Sequence, residues 1–344
     1  PGGHPFRVNE KGVEYVYFNA PFPCIRTRAT VSGYANLAAY ETFTCMKSGS
    51  TPEKPEVDRT ADGKIVYGWK TNSFVPDEHV QTNLVASGKL NKDEQIFRLR
   101  DIETGKPFMV HGGSVYWNQY RERWVMILSQ VYGSSFMGET WYAEADTPTG
   151  PWVYARKIVS HKMYTFYNPK HHPMFDRANG RVIYFEATYT DSFTDYPKKT
   201  PRYDYNQVMY KLDLSDSRMA MPVAVYRVED KSGAISWQTA AGARSAAGRK
   251  DVTFFALDRK TDQSVPVLAS GPYASPSWYG LAPNTRPSPA GTKPLFVFTS
   301  ADGKKREYST LDTLSGMQKS AAPVCLVWEN TFCKEVSAIF LDGK

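Results

Sequence analysis

GGSVYWN (112–118), RWVMILSQ (123–130), ETWYAEAD (139–146) and WVYARKIV (152–159) are followed by HHPMFD (171–176), RVIYFEATYT (181–190), NQVMYKLDL (206–214) and MPVAVYRV (221–228). The two sets read as one four-strand unit written twice. Trp117 and Trp124 stand as far apart as Phe175 and Val182. Aromatic and β-branched residues at such positions suit pleated, half-buried strands. Each copy has the size of one antiparallel propeller blade.

Turn chemistry supports this register. The link between the first two strands is NQYRER in one copy and DRANGR in the other, where Asn179-Gly180 is a strong hairpin signal. TPTGPW precedes the last strand of copy one, and LSDSRMAMP holds that place in copy two. DSFTDYPKKTPRYDY is inserted between strands two and three of the second copy only. Loops of that kind on a rigid scaffold gather binding residues.

Outward from the repeat, EYVYF, CIRTRA and AAYETFTCM read as strands, with a Pro-rich turn at Pro21 and Pro23. DRTADGKIVYGWK reads as a hairpin over Asp62-Gly63. Residues 72–90, with His79, read as a long connection or a short helix. The Gly, Ala and Ser-rich segment after Glu229 reads as a linker. VTFFALDRKTDQSVPVL and KPLFVFTSADGKKREYSTL then echo each other as strand, charged turn and return strand. The expected fold is all-β: a five-bladed β-propeller of four-stranded blades with a small C-terminal β subdomain or closing blade. The expected division is a propeller core over 1–229, an irregular linker over 230–250 and the C-terminal module over 251–344.

The chain has 344 residues, a net charge of +7 and 14% aromatic residues. A moderate positive charge favours an anionic partner such as an acidic polysaccharide. The short runs at Lys198–Lys199 and Lys304–Arg306 come without a nucleic-acid motif, so nucleic acid is not an expected partner. No apolar stretch reaches the roughly 20 residues of a membrane helix. The start, PGGHPF, reads as a processed or trimmed terminus. Cys24, Cys45, Cys325 and Cys333 form no metal-binding spacing. Two local disulfides, pairing across the termini, or four buried thiols all fit that count. Secretion or an envelope location is the expectation.

Chemistry is expected at one mouth of the propeller. His111 and the pair His171-His172 sit at corresponding entries to neighbouring inner strands, where imidazoles can act as acid, base or ligand. Glu186 lies in an apolar strand and must be paired or have its pKa raised. In PRYDYN (201–206), Arg202 suits an anion clamp, Tyr203 and Tyr205 sugar stacking or proton donation, Asp204 a base and Asn206 an orienting amide. Asn168, Tyr167 and Glu139 are further binding candidates. Asp146 reads as a turn residue, and Trp117, Trp141 and Trp152 as core. A glycosidase needs two carboxyls, for which Glu186, Asp204 and Glu139 are available. A lyase needs a base and a cation, for which His171, Tyr203 and Arg202 are available. No cofactor is expected, with a structural Ca²⁺ or a His-bound metal left open.

ETWYAEADTPTGPWVYARKIV resembles the blade phrase of secreted propeller glycoside hydrolases, in which a "YxAxS" strand precedes "xxGPW". With YNPKHHPMFD and RVIYFEATYT, the stretch 111–225 resembles uncharacterised secreted bacterial proteins of planctomycete type. These are related to five-bladed, glycosidase-like domains of unknown function. The tail, KPLFVFTSADGKKREYSTLDTLSGM, faintly resembles a repeat-type extracellular β module found beside hydrolases. The GPW phrase is scaffold, and His111-Gly112-Gly113 stands where such hydrolases have Asp-Pro. The resemblance implies a secreted protein that binds and cleaves a polysaccharide, by hydrolysis or, on an anionic glycan, by elimination. The alternative is a non-catalytic surface or complex-forming propeller.

Overall fold

The computed structural model describes residues 3–19, 22–246, 248–268 and 276–337. It is built mainly of β-strands in four sheets, of five, five, three and nine strands. The first runs in chain order through β1 (Phe6–Glu10), β2 (Val13–Phe18), β3 (Ile25–Arg28), β4 (Glu41–Thr44) and β5 (Gly68–Lys70). Lys11 and Gly12 make its first turn with φ of 52° and 86°, the left-handed pair that a two-residue hairpin needs. Between β3 and β4 lies α1 (Val31–Ala35), and after β5 comes α2 (Glu78–Ala86). The Asp62-Gly63 hairpin reduces to the isolated bridge Arg59–Ile65.

The second sheet contains β6 (Arg100–Asp101), β7 (Met109–Asn118), β8 (Arg123–Val131), β9 (Glu139–Ala145) and β10 (Tyr154–Ser160), in the order β6-β10-β9-β8-β7. This is the first repeat copy as expected, with a short parallel strand added at its rim. Val125, Met126, Ile127 and Leu128 are all fully buried. A run without alternation fits a strand covered on both faces.

The third sheet is β11 (Thr165–His171), β12 (Val182–Thr190) and β13 (Tyr205–Asp213). Two expectations change here. HHPMFD is not a strand: β11 ends at His171 and a 3-10 turn follows over Pro173–Phe175. Pro173, lacking an N–H, opens that turn at no hydrogen-bonding cost. MPVAVYRV is not the fourth strand of this sheet. It forms β14 (Pro222–Glu229), which pairs with β15 (Ile235–Thr239) and β16 (Arg249–Leu257). The reason lies in the side chains. β13 alternates exposed and half-buried residues, which suits an edge. β14 is buried along nearly its whole length and requires a neighbour on each side.

The fourth sheet also holds β17 (Ser264–Leu268), β18 (Pro276–Leu281), β19 (Thr292–Ser300), β20 (Arg306–Ser309), β21 (Met317–Lys319) and β22 (Cys325–Glu329). Its main path is β15-β14-β16-β18-β22-β19-β20. The two ends of that path meet. Trp237 of β15 stacks edge-on against Tyr308 of β20 at 5.0 Å, and Arg227 of β14 pairs with Glu307 of β20 at 2.7 Å. The sheet is therefore rolled around a core of its own that includes Phe254, Trp278 and Val327. Alternation on β16 divides the work: Phe254 and Ala256 face this core, Phe255 and Leu257 the larger one. The expected linker at 230–250 thus carries β15 and α3 (Ala240–Ser245) inside this region, because β14 takes both β15 and β16 as partners. The expected return strand of VTFFALDRKTDQSVPVL pairs with β18 instead of β16. Four sheets of these sizes do not display five four-stranded blades.

The four cysteines are free thiols, so the disulfide expectation is corrected. Cys24, Cys45 and Cys325 are packed in apolar surroundings. Burial pushes the Cys45 thiol up to about 11 and that of Cys325 up to about 12. Asp146 is more than a turn residue. It is buried and bonded to Arg123 and, at 2.7 Å, to the Tyr226 hydroxyl. Arg121 meets Glu144 and Asp258 at 2.8 Å each. This network ties the second sheet to the rolled one. Trp141 and Trp152 are core, but Trp117 is 39% exposed.

Candidate functional site

β7 and β11 are edge strands of their sheets, and they lie side by side in parallel. His171 N–H donates to Ser114 Oγ at 2.7 Å, and three residues earlier on β7 the His111 ring lies 5.6 Å from that of Tyr167. The pairing of β7 with β8 slips between Val110 and Gly112, which bulges His111 out of the ladder. Gly113 leaves no room for a side chain, since a Cβ there would come 2.1 Å from the Ile127 carbonyl. Its own carbonyl accepts from Asn19 Nδ2 at 2.8 Å, so the first sheet reaches the same junction.

β11 is kinked at its centre. Its pairing with β12 shifts between Tyr167 and Lys170. Asn168 sits there with φ of 54°, and Pro169 has no N–H to offer the ladder. The kink presents the Asn168 side chain, whose Oδ1 is 3.2 Å from His4 Nε2. The His4 backbone N–H is fixed by Asn19 Oδ1 at 2.8 Å. Burial lowers the His4 pKa below its ordinary value. Lys170 and His172 act in the same direction, while Asn168 and Glu186 oppose them. His4 meets Asn168, Lys170 stands opposite Glu186 in the β11–β12 ladder and His172 meets Glu186, so these five residues form one cluster along β11.

The consecutive histidines have separate partners. His171 is fully buried. Its Nε2 meets Asp176 Oδ1 at 2.8 Å and its ring packs edge-on against Tyr116. It is an internal brace, and the expectation of a catalytic His171 is corrected by that burial. His172 lies across from Glu186, with Nε2 3.2 Å from Oε1. That distance allows an ion pair, yet the groups are not aligned as a hydrogen bond, and Nε2 is left buried without one. The partner that an apolar strand demands for Glu186 is thus His172. His111 stands beside the cluster, and desolvation lowers its imidazole pKa. The expected matching strand entries are not observed, since His111 opens β7 and His171 closes β11.

PRYDYN lies at the Tyr167 end of the third sheet, where Tyr167 pairs with Thr188 and Asn206 with Tyr189, away from the two histidines. Tyr205 pairs with Thr190, whereas His171 pairs with Phe185. Five residues of strand separate these rows, roughly 16 Å. The loop is braced by its own bonds: Asn206 Nδ2 donates to the Tyr203 carbonyl at 2.7 Å, Thr190 Oγ1 to the Asp204 carbonyl at 2.6 Å, and Lys199 pairs with Asp204 at 3.0 Å. Arg202 adopts φ of 71°, and Tyr203 and Tyr205 face solvent. Glu139 is buried at the start of β9, two strands outward from β7 and so about 10 Å away. Its Oε1 accepts from Ser134, by backbone N–H at 2.6 Å and by hydroxyl, and Lys157 stands 3.9 Å off. Neither Asp204 nor Glu139 joins Glu186. His111, His171 and His172 do not converge as ligands, and among the described residues no three His, Cys, Asp or Glu side chains are placed to hold a metal.

The cluster can offer hydrogen bonds to hydroxyls through Asn168, His4 and Glu186, a cation through Lys170, and an aromatic wall. Tyr167 stands between the His111 ring and that of Phe193, 5.2 Å away. Sequence alone does not single out His4 or Lys170 as site residues. His4 is a lone residue before a strand and Lys170 a strand lysine, and neither carries a local signal.

No family model matches the chain, nor does any curated sequence. The planctomycete-type resemblance thus has no sequence-level counterpart. Among solved structures, a variant of exo-beta-1,3-galactanase from Phanerochaete chrysosporium with beta-1,3-galactotriose is similar with a TM-score of 0.23 and 12% identity, over 80% of this chain and 50% of that one. The chain thus spans half the length of that enzyme. A candidate exo-beta-1,3-galactanase from Bifidobacterium bifidum gives 0.26 and 12%, over 96% and 93%. Endo-1,5-alpha-L-arabinanase from Thermotoga petrophila gives 0.22 and 10%, over 95% and 81%. Scores this low carry no conclusion about this chain, and its function has to be read from its own residues.

Proposed function

We propose that this protein binds a polysaccharide across the junction of β7 and β11, with acidic glycans preferred. One observation carries the reading: a half-open aromatic wall of His111, Tyr167 and Phe193 stands beside the polar cluster of His4, Asn168, Lys170, His172 and Glu186. Sugar rings present an apolar face and a rim of hydroxyls, and this pairing of surfaces matches both. Lys170 forms no ion pair among the described residues and is placed to meet a uronate, in keeping with the +7 charge of the chain. The two parallel edges stand as the innermost strands of adjacent propeller blades would, which is the architecture we infer for the first three sheets. A polysaccharide ligand implies an envelope or extracellular location as part of the same proposal.

Cleavage is the second element of the reading, and Glu186 is the residue it depends on. In hydrolysis Glu186 would be the acid of the carboxyl pair that such chemistry requires. In elimination His172 would be the base and Lys170 the group neutralising the uronate. The experiment is affinity electrophoresis on neutral and uronic polysaccharides, together with assays for reducing ends and for unsaturated uronate. Binding to a uronic glycan, with any product formation lost in Glu186→Gln while binding stays within about threefold, is the expected result. Absence of binding to every glycan tested would discard the proposal.

A further inference from the structure

A cavity of about 640 Å³ opens between the first sheet, α2 and the start of β7. It shares no residue with the glycan cluster. Phe22 and Phe97 stack at 4.5 Å in its wall, and Phe74, Val75 and Met109 add further apolar surface. Volume and lining are those of a small-molecule site, mostly apolar with a few polar groups placed to fix orientation.

The polar groups come from the N-terminal end of α2. Asp77 is already committed, because its Oδ1 caps the helix by accepting from Val80 N–H at 2.8 Å. Glu78, one residue on, lines the cavity. Burial pushes its carboxyl up to about 7, and the charge of Asp77 adds to this. The Val110 backbone hydrogen bond and the Arg98 guanidinium act against it. His79 lines the same wall. Asp77, His79 and Arg98 are the titratable and charged groups around Glu78.

We propose that this cavity binds a small neutral molecule with an aromatic or cyclic apolar body, held between the Phe22–Phe97 wall and the Glu78 carboxyl, and with one polar group facing that carboxyl. The surroundings select for neutrality. A charged ligand would give up its hydration for a mostly apolar wall, since Asp77 is committed to the helix cap and Arg98 is not part of the lining. A neutral carboxylic acid in such a setting is a good donor.

The test uses the neutral fluorophore 6-propionyl-2-dimethylaminonaphthalene, whose carbonyl is the acceptor. Its emission is expected to shift to the blue saturably, with Kd rising about tenfold from pH 6 to pH 8 as Glu78 ionises. Glu78→Gln keeps a donor and is expected to bind at both pH values with no such change. Val75→Trp, with its fold verified by circular dichroism, fills the cavity and is expected to abolish the signal. Tyr167→Ala is expected to leave the titration unchanged, which separates this site from the glycan reading. A non-saturable response overturns the proposal, as does a pH dependence that persists in Glu78→Gln.

Discussion

The second and third sheets begin as the same sequence pattern and end as different objects. In the second, β8 and β9 are buried on both faces, and the Arg121–Asp258 ion pair and the Tyr226–Asp146 hydrogen bond lock the sheet to the rolled C-terminal one. In the third, three strands end in an exposed edge, the inner strand is kinked at Asn168-Pro169, and a long loop interrupts the meander. The turn of each copy still touches that of the other, through Asn118 Nδ2 and the Gly180 carbonyl at 2.8 Å. A shared strand pattern therefore sets placement. Departures from ideal pairing, where backbone and side chains are turned out of the ladder, supply the groups that can meet a ligand.

The contrast can be broken most strongly in the second sheet. Arg123→Met leaves Asp146 buried without its cation and is expected to cost about 3–5 kcal/mol of stability. The fall should appear as a lower midpoint in urea with an unchanged slope. Glycan affinity of the remaining folded protein should be unaltered, and a selective loss of affinity would erase the division between scaffold and site.

A smaller effect sharpens the contrast within the third sheet. Tyr167→Ala removes the centre of the aromatic wall and is expected to weaken glycan binding about tenfold, or ~1.4 kcal/mol. Tyr203→Ala, on the braced PRYDYN loop, is expected to change it little. The reverse order in affinity electrophoresis would move the site to the loop.

The smallest expected effect concerns acid. His4 has a lowered pKa in the folded chain, so the unfolded chain takes up its proton first. Docking of the N-terminal segment is then fully present above the ordinary histidine pKa and weakens as pH falls through it towards the lowered folded value. Lys170 and His172 reinforce the trend and Glu186 counters it. Protection factors of β1 amides at pH 7 and pH 5, with the intrinsic pH dependence of exchange divided out, check this, and lower protection is expected at the lower pH. His4→Asn should flatten the difference.

The strands of the first repeat, its turns and the all-β class were legible because period-two burial and turn residues are local properties. Asn168, His172 and Glu186 stand out in the sequence, and the fold places them in one cluster. His171 was misread, since its sequence context matches that of His172. Only strand alternation and the position of Asp176 send one ring inward and the other towards Glu186. His4 lies 164 residues from Asn168 in the chain, a contact with no local trace. The thiols looked like disulfide candidates by count, while their pairing depended on a geometry that composition does not contain.

By itself the sequence determined where strands and turns form, because these depend on neighbours a few residues away. Tertiary structure alone decided which sheet β14 joins, which histidine is a brace, that His4 and Lys170 enter the cluster, and that Glu78 faces a cavity. Each of those outcomes depends on which distant surface excludes water from a group, and burial of that kind is a property of the assembled fold.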